Sequence, residues 1–117
     1  MTEDTPEATP SGPTPRVGDR RPIMALLELL GRRWALRILW ELRSGEALAS
    51  RALRAAAGDL SPTVLQARMN ELRAAGIVAL GADGYALTPL GADLLGAFAP
   101  LYSFADRWAR AQGEAER

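Results

Sequence analysis

Thr63, Gln66, Asn70 and Arg73 recur at spacings of three, four and three in the stretch DLSPTVLQARMNELRAAGIV, residues 59–78. Those spacings place them on one side of a helix. Ser61 offers a hydroxyl to cap that helix, and Pro62 takes the first helical position, where a missing amide proton costs nothing. Gly76 stands where a left-handed residue commonly ends one. Leu65, Met69 and Leu72 line the buried side. Opposite them stand Thr63, Ala67, Asn70 and Ala74, with Gln66 and Arg73 on one flank. A surface helix kept for stability alone would carry acids and bases there. Amide, hydroxyl, methyl and guanidinium are instead the groups that read base edges and grip phosphates.

Charge is distributed to match. The chain is neutral, with 14 basic and 14 acidic residues, and every base is arginine. From Arg32 to Arg73, however, eight arginines face four acids, a local excess of +4. The planar guanidinium fork suits phosphate and guanine. Other chemistries are narrowed by what is missing. There is no cysteine and no histidine, which removes thiol nucleophiles, disulfides, Cys/His zinc sites and Ser-His-Asp triads. The acids are scattered, with no pair at helical spacing in an apolar surround. No catalytic residue, metal or cofactor is expected.

The 117 residues suggest one domain. Residues 1–20, MTEDTPEATPSGPTPRVGDR, are Pro/Thr/Glu-rich and read as a disordered tail. They do not resemble a signal peptide, and no apolar run approaches a membrane span. A cytoplasmic protein with no membrane partner is expected. The folded part should run over 21–113.

Within it, PIMALLELLG predicts a helix ending at Gly31, and RRWALRILWELRSG a second ending at Gly45. The second is apolar around most of its circumference (Trp34, Leu36, Ile38, Leu39, Trp40, Leu42), as in a helix sandwiched between others. ALASRALRAAAG predicts a third, with Leu48, Ala52, Leu53 and Ala56 toward the core. The tight link Gly58-Asp59-Leu60 then leads into helix 61–75, giving the outline of a helix-turn-helix. IVALGADGYALT follows as strand 77–80, a turn with Asp83-Gly84, and strand 85–88. Helices, then a hairpin, then a helix is the order of a winged helix-turn-helix, so the fold class is α+β, mostly α, with a short two-stranded wing. The last helix, 89–111, starts at Thr88-Pro89. It carries Leu90, Leu94, Ala97, Leu101, Phe104 and Trp108 as an a/d seam. That seam outruns the core of so small a domain and reads as a dimer interface, with a kink at Pro100.

Three stretches, LLELLGRRWALRILWEL, LSPTVLQARMNELRAAGIV and YALTPLGADLL, resemble the HxlR-type winged helix-turn-helix transcriptional regulators, relatives of the MarR group. The third is similar to that family's Y-x-L-T-x-x-G segment after the wing. Together they span residues 22 to about 112. The resemblance implies a cytoplasmic DNA-binding homodimer, with terminal helices forming the dimer and helix 61–75 entering the major groove. By the same token Ser61 and Thr63 would meet phosphates, and Gln66, Ala67 and Asn70 would face base edges. Arg73, Arg51 and Arg54 would bind phosphate. Arg68, nearer the buried side, is expected either to snorkel or to pair with an acid such as Glu71 or Glu41.

Two departures from the family pattern stand out. Many members carry a sensing cysteine where this chain has Arg21-Pro22-Ile23, so thiol sensing is excluded. A small-molecule effector would have to act by packing or hydrogen bonding, and the aromatic surface for one lies at Trp34, Trp40, Phe98 and Tyr102. The wing, Gly81-Ala82-Asp83-Gly84, is short, with one acid and no base. Two readings follow. One is a sequence-specific regulator, a repressor acting on an inverted repeat of double-stranded DNA. The alternative is a winged-helix dimer that binds a protein or ligand without specific DNA binding. Gln66, Asn70 and Arg73 favour the first, because a protein-binding face prefers aromatic and aliphatic anchors.

Overall fold

The computed structural model describes residues 21–115, with side chains to 113; the 1–20 tail lies outside the described residues. Helix α1 (Pro22–Leu30) begins with proline in its first turn and buries Ala25, Leu29 and Leu30. Helix α2 (Ala35–Glu41) is shorter than the predicted 32–45. Trp34 precedes it in the left-handed region at φ 76°, which separates it from the turn at Arg32 and Arg33. Past Glu41 the chain continues in i→i+3 bonds, Leu42 to Leu39, Arg43 to Trp40 and Gly45 to Leu42. Apolar periodicity does not distinguish such tightened turns from α-helix. Nor is α2 sandwiched on all sides. Ala35, Ile38, Leu39 and Leu42 are buried, whereas Leu36 and Trp40 stay exposed.

Helix α3 (Ser50–Ala56) starts three residues later than predicted. Leu48 is drawn instead into an antiparallel bridge with Tyr85, exchanging both backbone bonds at 2.8 and 2.9 Å. In α3 and at its end, Leu53 and Ala57 are buried and Ala56 is half-buried, whereas Ala52, expected toward the core, is exposed. Gly58 and Asp59, both at positive φ, make the tight turn into α4 (Pro62–Ala74). Strands β1 (Val78–Gly81) and β2 (Gly84–Leu87) pair antiparallel in the register Val78 with Leu87 and Gly81 with Gly84. The hairpin's central residues are therefore Ala82 and Asp83, not Asp83 and Gly84. Positive φ falls on Gly84 alone. A side chain there would strike the Leu48 backbone, so glycine admits the third strand segment.

Helix α5 (Pro89–Ala97) is stitched to the end of α4 by Thr88. The Thr88 hydroxyl donates to the Gly76 carbonyl at 2.6 Å and accepts from the Gly91 amide at 3.0 Å. Gly91 lies directly against the Ile77 carbonyl. Tyr85, Thr88 and Gly91, three of the four fixed letters of the Y-x-L-T-x-x-G segment, thus join the hairpin, the end of α4 and α5.

The predicted single helix 89–111 with a kink is in fact two helices. α6 (Ala99–Ala115) begins after a break at Phe98, because Pro100 has no amide proton to continue the ladder. Phe98 restarts it by accepting from Leu101 and Tyr102. The core joins Leu29, Leu30, Ile38, Leu39, Leu42, Leu53, Leu65, Met69, Leu72, Ile77, Val78 and Tyr85, with Leu94, Leu95 and Phe98 packed on its margin. No described helix is long and apolar enough to cross a membrane.

Candidate nucleic-acid interface

α4 is held from both ends and from beneath. The Ser61 hydroxyl accepts from the Val64 amide at 3.2 Å, satisfying one of the free donors at the helix start. Gly76, at φ 79°, closes the far end. Leu65, Met69 and Leu72 are fully buried. Glu71 is buried too, at 6% exposure, and is neutralised in place. Arg68, on the same helix, reaches it at 3.1 Å, and Arg32 approaches it at 3.8 Å from the turn after α1. Arg68 also donates to the Arg33 carbonyl at 3.4 Å. The helix is therefore clamped to the α1–α2 turn by an ion cluster as well as by apolar packing. Arg68 pairs with Glu71, as expected; Glu41 is taken by Arg37 at 3.0 Å.

The outward side of this clamped helix presents Ser61, Thr63, Gln66, Asn70, Arg73 and Ala74, all exposed. Ala67 is half-buried beside them. Gln66 Nε2 donates to Asn70 Oδ1 at 2.9 Å, linking the two amides across one turn. Rigid placement of these groups on a packed helix is what base readout requires.

The basic segment divides by partner. Arg32 and Arg68 flank Glu71, and Arg37 pairs with Glu41 while donating to the Ala56 carbonyl at 2.9 Å. Arg43 stacks 3.9 Å over the Trp40 ring, and Arg33 lies 5.5 Å from that of Trp34. Arg51, Arg54 and Arg73 have no ion pair among the described residues. Arg51 and Arg73 are exposed and Arg54 half-buried, on the two helices of the helix-turn-helix. Arg33 and Arg43 are likewise exposed and without an ion pair among the described residues, but they lie against aromatic rings rather than on these two helices.

An open cleft runs between α4 and the wing, lined by Asn70, Arg73, Ala74, Val78, Ala79 and Leu80. The wing tip carries Asp83 and no base, and Leu80 is exposed beside it. Among the described residues there is no group of three His, Cys, Asp or Glu able to hold a metal ion.

A second surface is apolar. On α6, Leu101, Tyr102, Phe104 and Trp108 are all exposed, Trp108 at 56%. Leu90 and Ala97 of α5 are exposed as well, whereas Leu94 is half-buried against the core. Ile23, Met24 and Leu27 of α1 add to the uncovered apolar area and were not singled out from the sequence. Their signal was present: PIMALLELL is apolar on more sides than one small core can cover. Tyr102 meets Trp40 edge-on at 5.5 Å and Phe98 at 6.4 Å, gathering three of the four predicted aromatics where α6 crosses α2. Trp34 packs on the core instead.

The model of one family, HxlR-like helix-turn-helix, matches residues 29–113. Among solved structures, the chain is similar to the quinone-bound YodB of B. subtilis, with 25% identity and a TM-score of 0.69 over 75% of this chain and 98% of that one. It is also similar to a possible HxlR family transcriptional factor of Thermoplasma volcanium, with 26% identity and a TM-score of 0.65, over 81% and 94% of the two chains. No curated protein matches the sequence.

Proposed function

This chain belongs to the HxlR-like helix-turn-helix family, whose members are DNA-binding transcription regulators and not enzymes, and we propose that it acts as a homodimeric, sequence-specific repressor. In this reading α4 enters the major groove. Gln66, Asn70 and the Ala67 methyl face base edges, and Ser61, Thr63, Arg51, Arg54 and Arg73 grip the flanking phosphates. The observation that carries it is the sorting of side chains around α4. Arg32, Arg37 and Arg68 are paired with Glu71 and Glu41, whereas Arg73 on the polar side of α4 and Arg51 and Arg54 on α3 have no acid among the described residues.

The apolar surface of α1, α5 and α6 is assigned to a second copy, with Leu90, Leu94, Ala97, Leu101, Phe104 and Trp108 contributed from the C-terminal arm. Two α4 helices would then meet successive major grooves of an inverted repeat, with half-sites about 10 bp apart. Occupancy beside a promoter excludes polymerase. A small-molecule effector would lodge against Trp40, Phe98 and Tyr102 by packing, since the chain has no thiol to react with one.

The test is fluorescence anisotropy against duplexes from the gene's upstream region and against scrambled duplexes, across a salt series. Tight binding to one upstream segment at physiological salt supports the reading. Equal, weak and salt-sensitive binding to every duplex refutes it and favours a protein- or ligand-binding module. Gln66→Ala is expected to lose about 1–3 kcal/mol of discrimination at particular base pairs. Arg54→Ala is expected to weaken binding to all sequences alike.

A further inference from the structure

Gln66 and Asn70 stand on successive turns of α4, both exposed, and their one side-chain bond among the described residues is to each other. We infer that they read DNA as a single coupled unit, in which the Gln66 amide takes an adenine and Asn70 acts as a donor to the neighbouring base pair. The inference rests on α4 being the groove-entering helix and says how that helix specifies sequence.

The reasoning is a count of donors and acceptors. A free carboxamide has one carbonyl and two N–H groups. Adenine presents N7 as acceptor and N6–H as donor in the major groove, and a carboxamide matches both with its carbonyl and the N–H on the same side. Gln66 uses only one N–H to reach Asn70 Oδ1. With the N–H trans to the carbonyl given to Asn70, the carbonyl and the cis N–H remain, and they are the complete set for adenine.

Asn70 is left differently. Its carbonyl is occupied by Gln66, so a second bidentate pairing with adenine would have to share that oxygen. Its Nδ2 donors remain free. They suit an acceptor edge: guanine N7 and O6, or thymine O4. Four helical residues rise about 6 Å, which sets the two contacts on adjacent or next-but-one base pairs at about 3.4 Å each. In the free protein the mutual bond competes with water. In a groove that excludes water it strengthens, so Asn70 holds the Gln66 amide plane in register for its base.

The inference yields a pattern that independent readers would not produce. Asn70→Ala frees the Gln66 amide to rotate, so preference relaxes at two positions of the site. Asn70→Asp keeps an oxygen for Gln66 Nε2 but removes the donors. Adenine should then be retained while the neighbouring position turns toward cytosine, whose N4 amine donates to a carboxylate.

The experiment is selection of bound duplexes from a pool randomised across the site, with the full chain and with Gln66→Ala, Asn70→Ala, Asn70→Asp and the double alanine variant. Both positions are exposed, and circular dichroism verifies that each variant folds. The expected result is a loss of adenine preference of about fivefold or more in Asn70→Ala, the low end of what one bidentate pair discriminates. The double variant should be no less selective than Gln66→Ala at the adenine. If Asn70→Ala changes only one position and leaves adenine preference intact, the coupling is overturned while the regulator reading stands. If the wild-type chain selects no sequence at all, both fall together.

Discussion

Replacing Gly91 with alanine is expected to destabilise the protein, whereas the same replacement at Gly96, five residues further along α5, is expected to stabilise it. Helix propensity alone favours alanine at both, by about 0.8–1.0 kcal/mol in a helix interior and less near its ends. At Gly96 nothing lies within 4 Å of an added methyl group, so a gain of about 0.5 kcal/mol should survive. At Gly91 the methyl would overlap the Ile77 carbonyl oxygen, with the carbonyl carbon at 3.2 Å and the Ile77 side chain at 3.3 Å. That carbonyl cannot simply retreat. It accepts from the Thr88 amide at 3.0 Å and from the Thr88 hydroxyl at 3.2 Å, while the Ile77 amide donates to Leu72 at 2.9 Å. Relief requires α5 to move away, at about 1–3 kcal/mol for overpacking and about 1 kcal/mol for each hydrogen bond stretched beyond use.

The clash outweighs propensity, and a net loss of about 2–3 kcal/mol is expected. Each kcal/mol moves the melting temperature of a domain this size by about 4–8 °C. Gly91→Ala should therefore melt on the order of 10 °C lower and Gly96→Ala a few degrees higher. Urea unfolding at one fixed protein concentration measures both, because association contributes to apparent stability. Equal midpoints for Gly91→Ala and wild type would refute the claim that this glycine is required by the contact of α5 with Ile77.

Other expectations are more compact. Arg73→Ala should weaken binding to cognate and random duplexes equally and, with one Arg73 from each copy of the proposed dimer, reduce the slope of log affinity against log salt by about 1.8, the value for two phosphate contacts; an unchanged slope would remove Arg73 from the phosphate set. Trp108→Glu, at an exposed α6 position, should yield monomers in sedimentation velocity, and a wild-type monomer at micromolar concentration would discard the proposed dimer face. Glu71→Ala leaves Arg68 and Arg32 facing each other across a largely buried site. It should cost about 2–3 kcal/mol in urea unfolding, below the full value for a buried pair because Arg32 keeps 31% side-chain exposure. No loss there would mean that apolar packing alone orients the reading helix.

Helix α4 was legible in the sequence because its determinants are local. Ser61, Pro62 and Gly76 mark its ends, and Leu65, Met69 and Leu72 its buried side, all within sixteen consecutive residues. Thr88-Pro89 likewise announced the start of α5. The errors occur where a distant partner intervenes. Leu48 reads as helical, yet the Tyr85 backbone captures it in an isolated antiparallel bridge. The turn at 42–45 has the same apolar spacing as the helix before it, and only its i→i+3 bonds distinguish the two. Phe98 and Pro100 convert a continuous seam into two helices, moving Leu94 toward the core and leaving Leu101, Phe104 and Trp108 on the outer arm.

By itself, then, the sequence determined the order of elements, the helix that bears the polar face and the residue types on it. Caps, periodicity and turn chemistry act over a few residues, so they can be read without knowing which distant segments will pack nearby. The tertiary structure decided which of eight similar arginines remain available. Arg32 and Arg68 are claimed by Glu71, and Arg68 also reaches the carbonyl of Arg33, 35 residues away in the chain. Arg37 is held by Glu41, and Arg33, Arg43, Arg51, Arg54 and Arg73 are left without an acid among the described residues. Charge pairing depends on separation in space rather than in sequence, so only the packed molecule divides arginines that hold it together from those that can meet a phosphate.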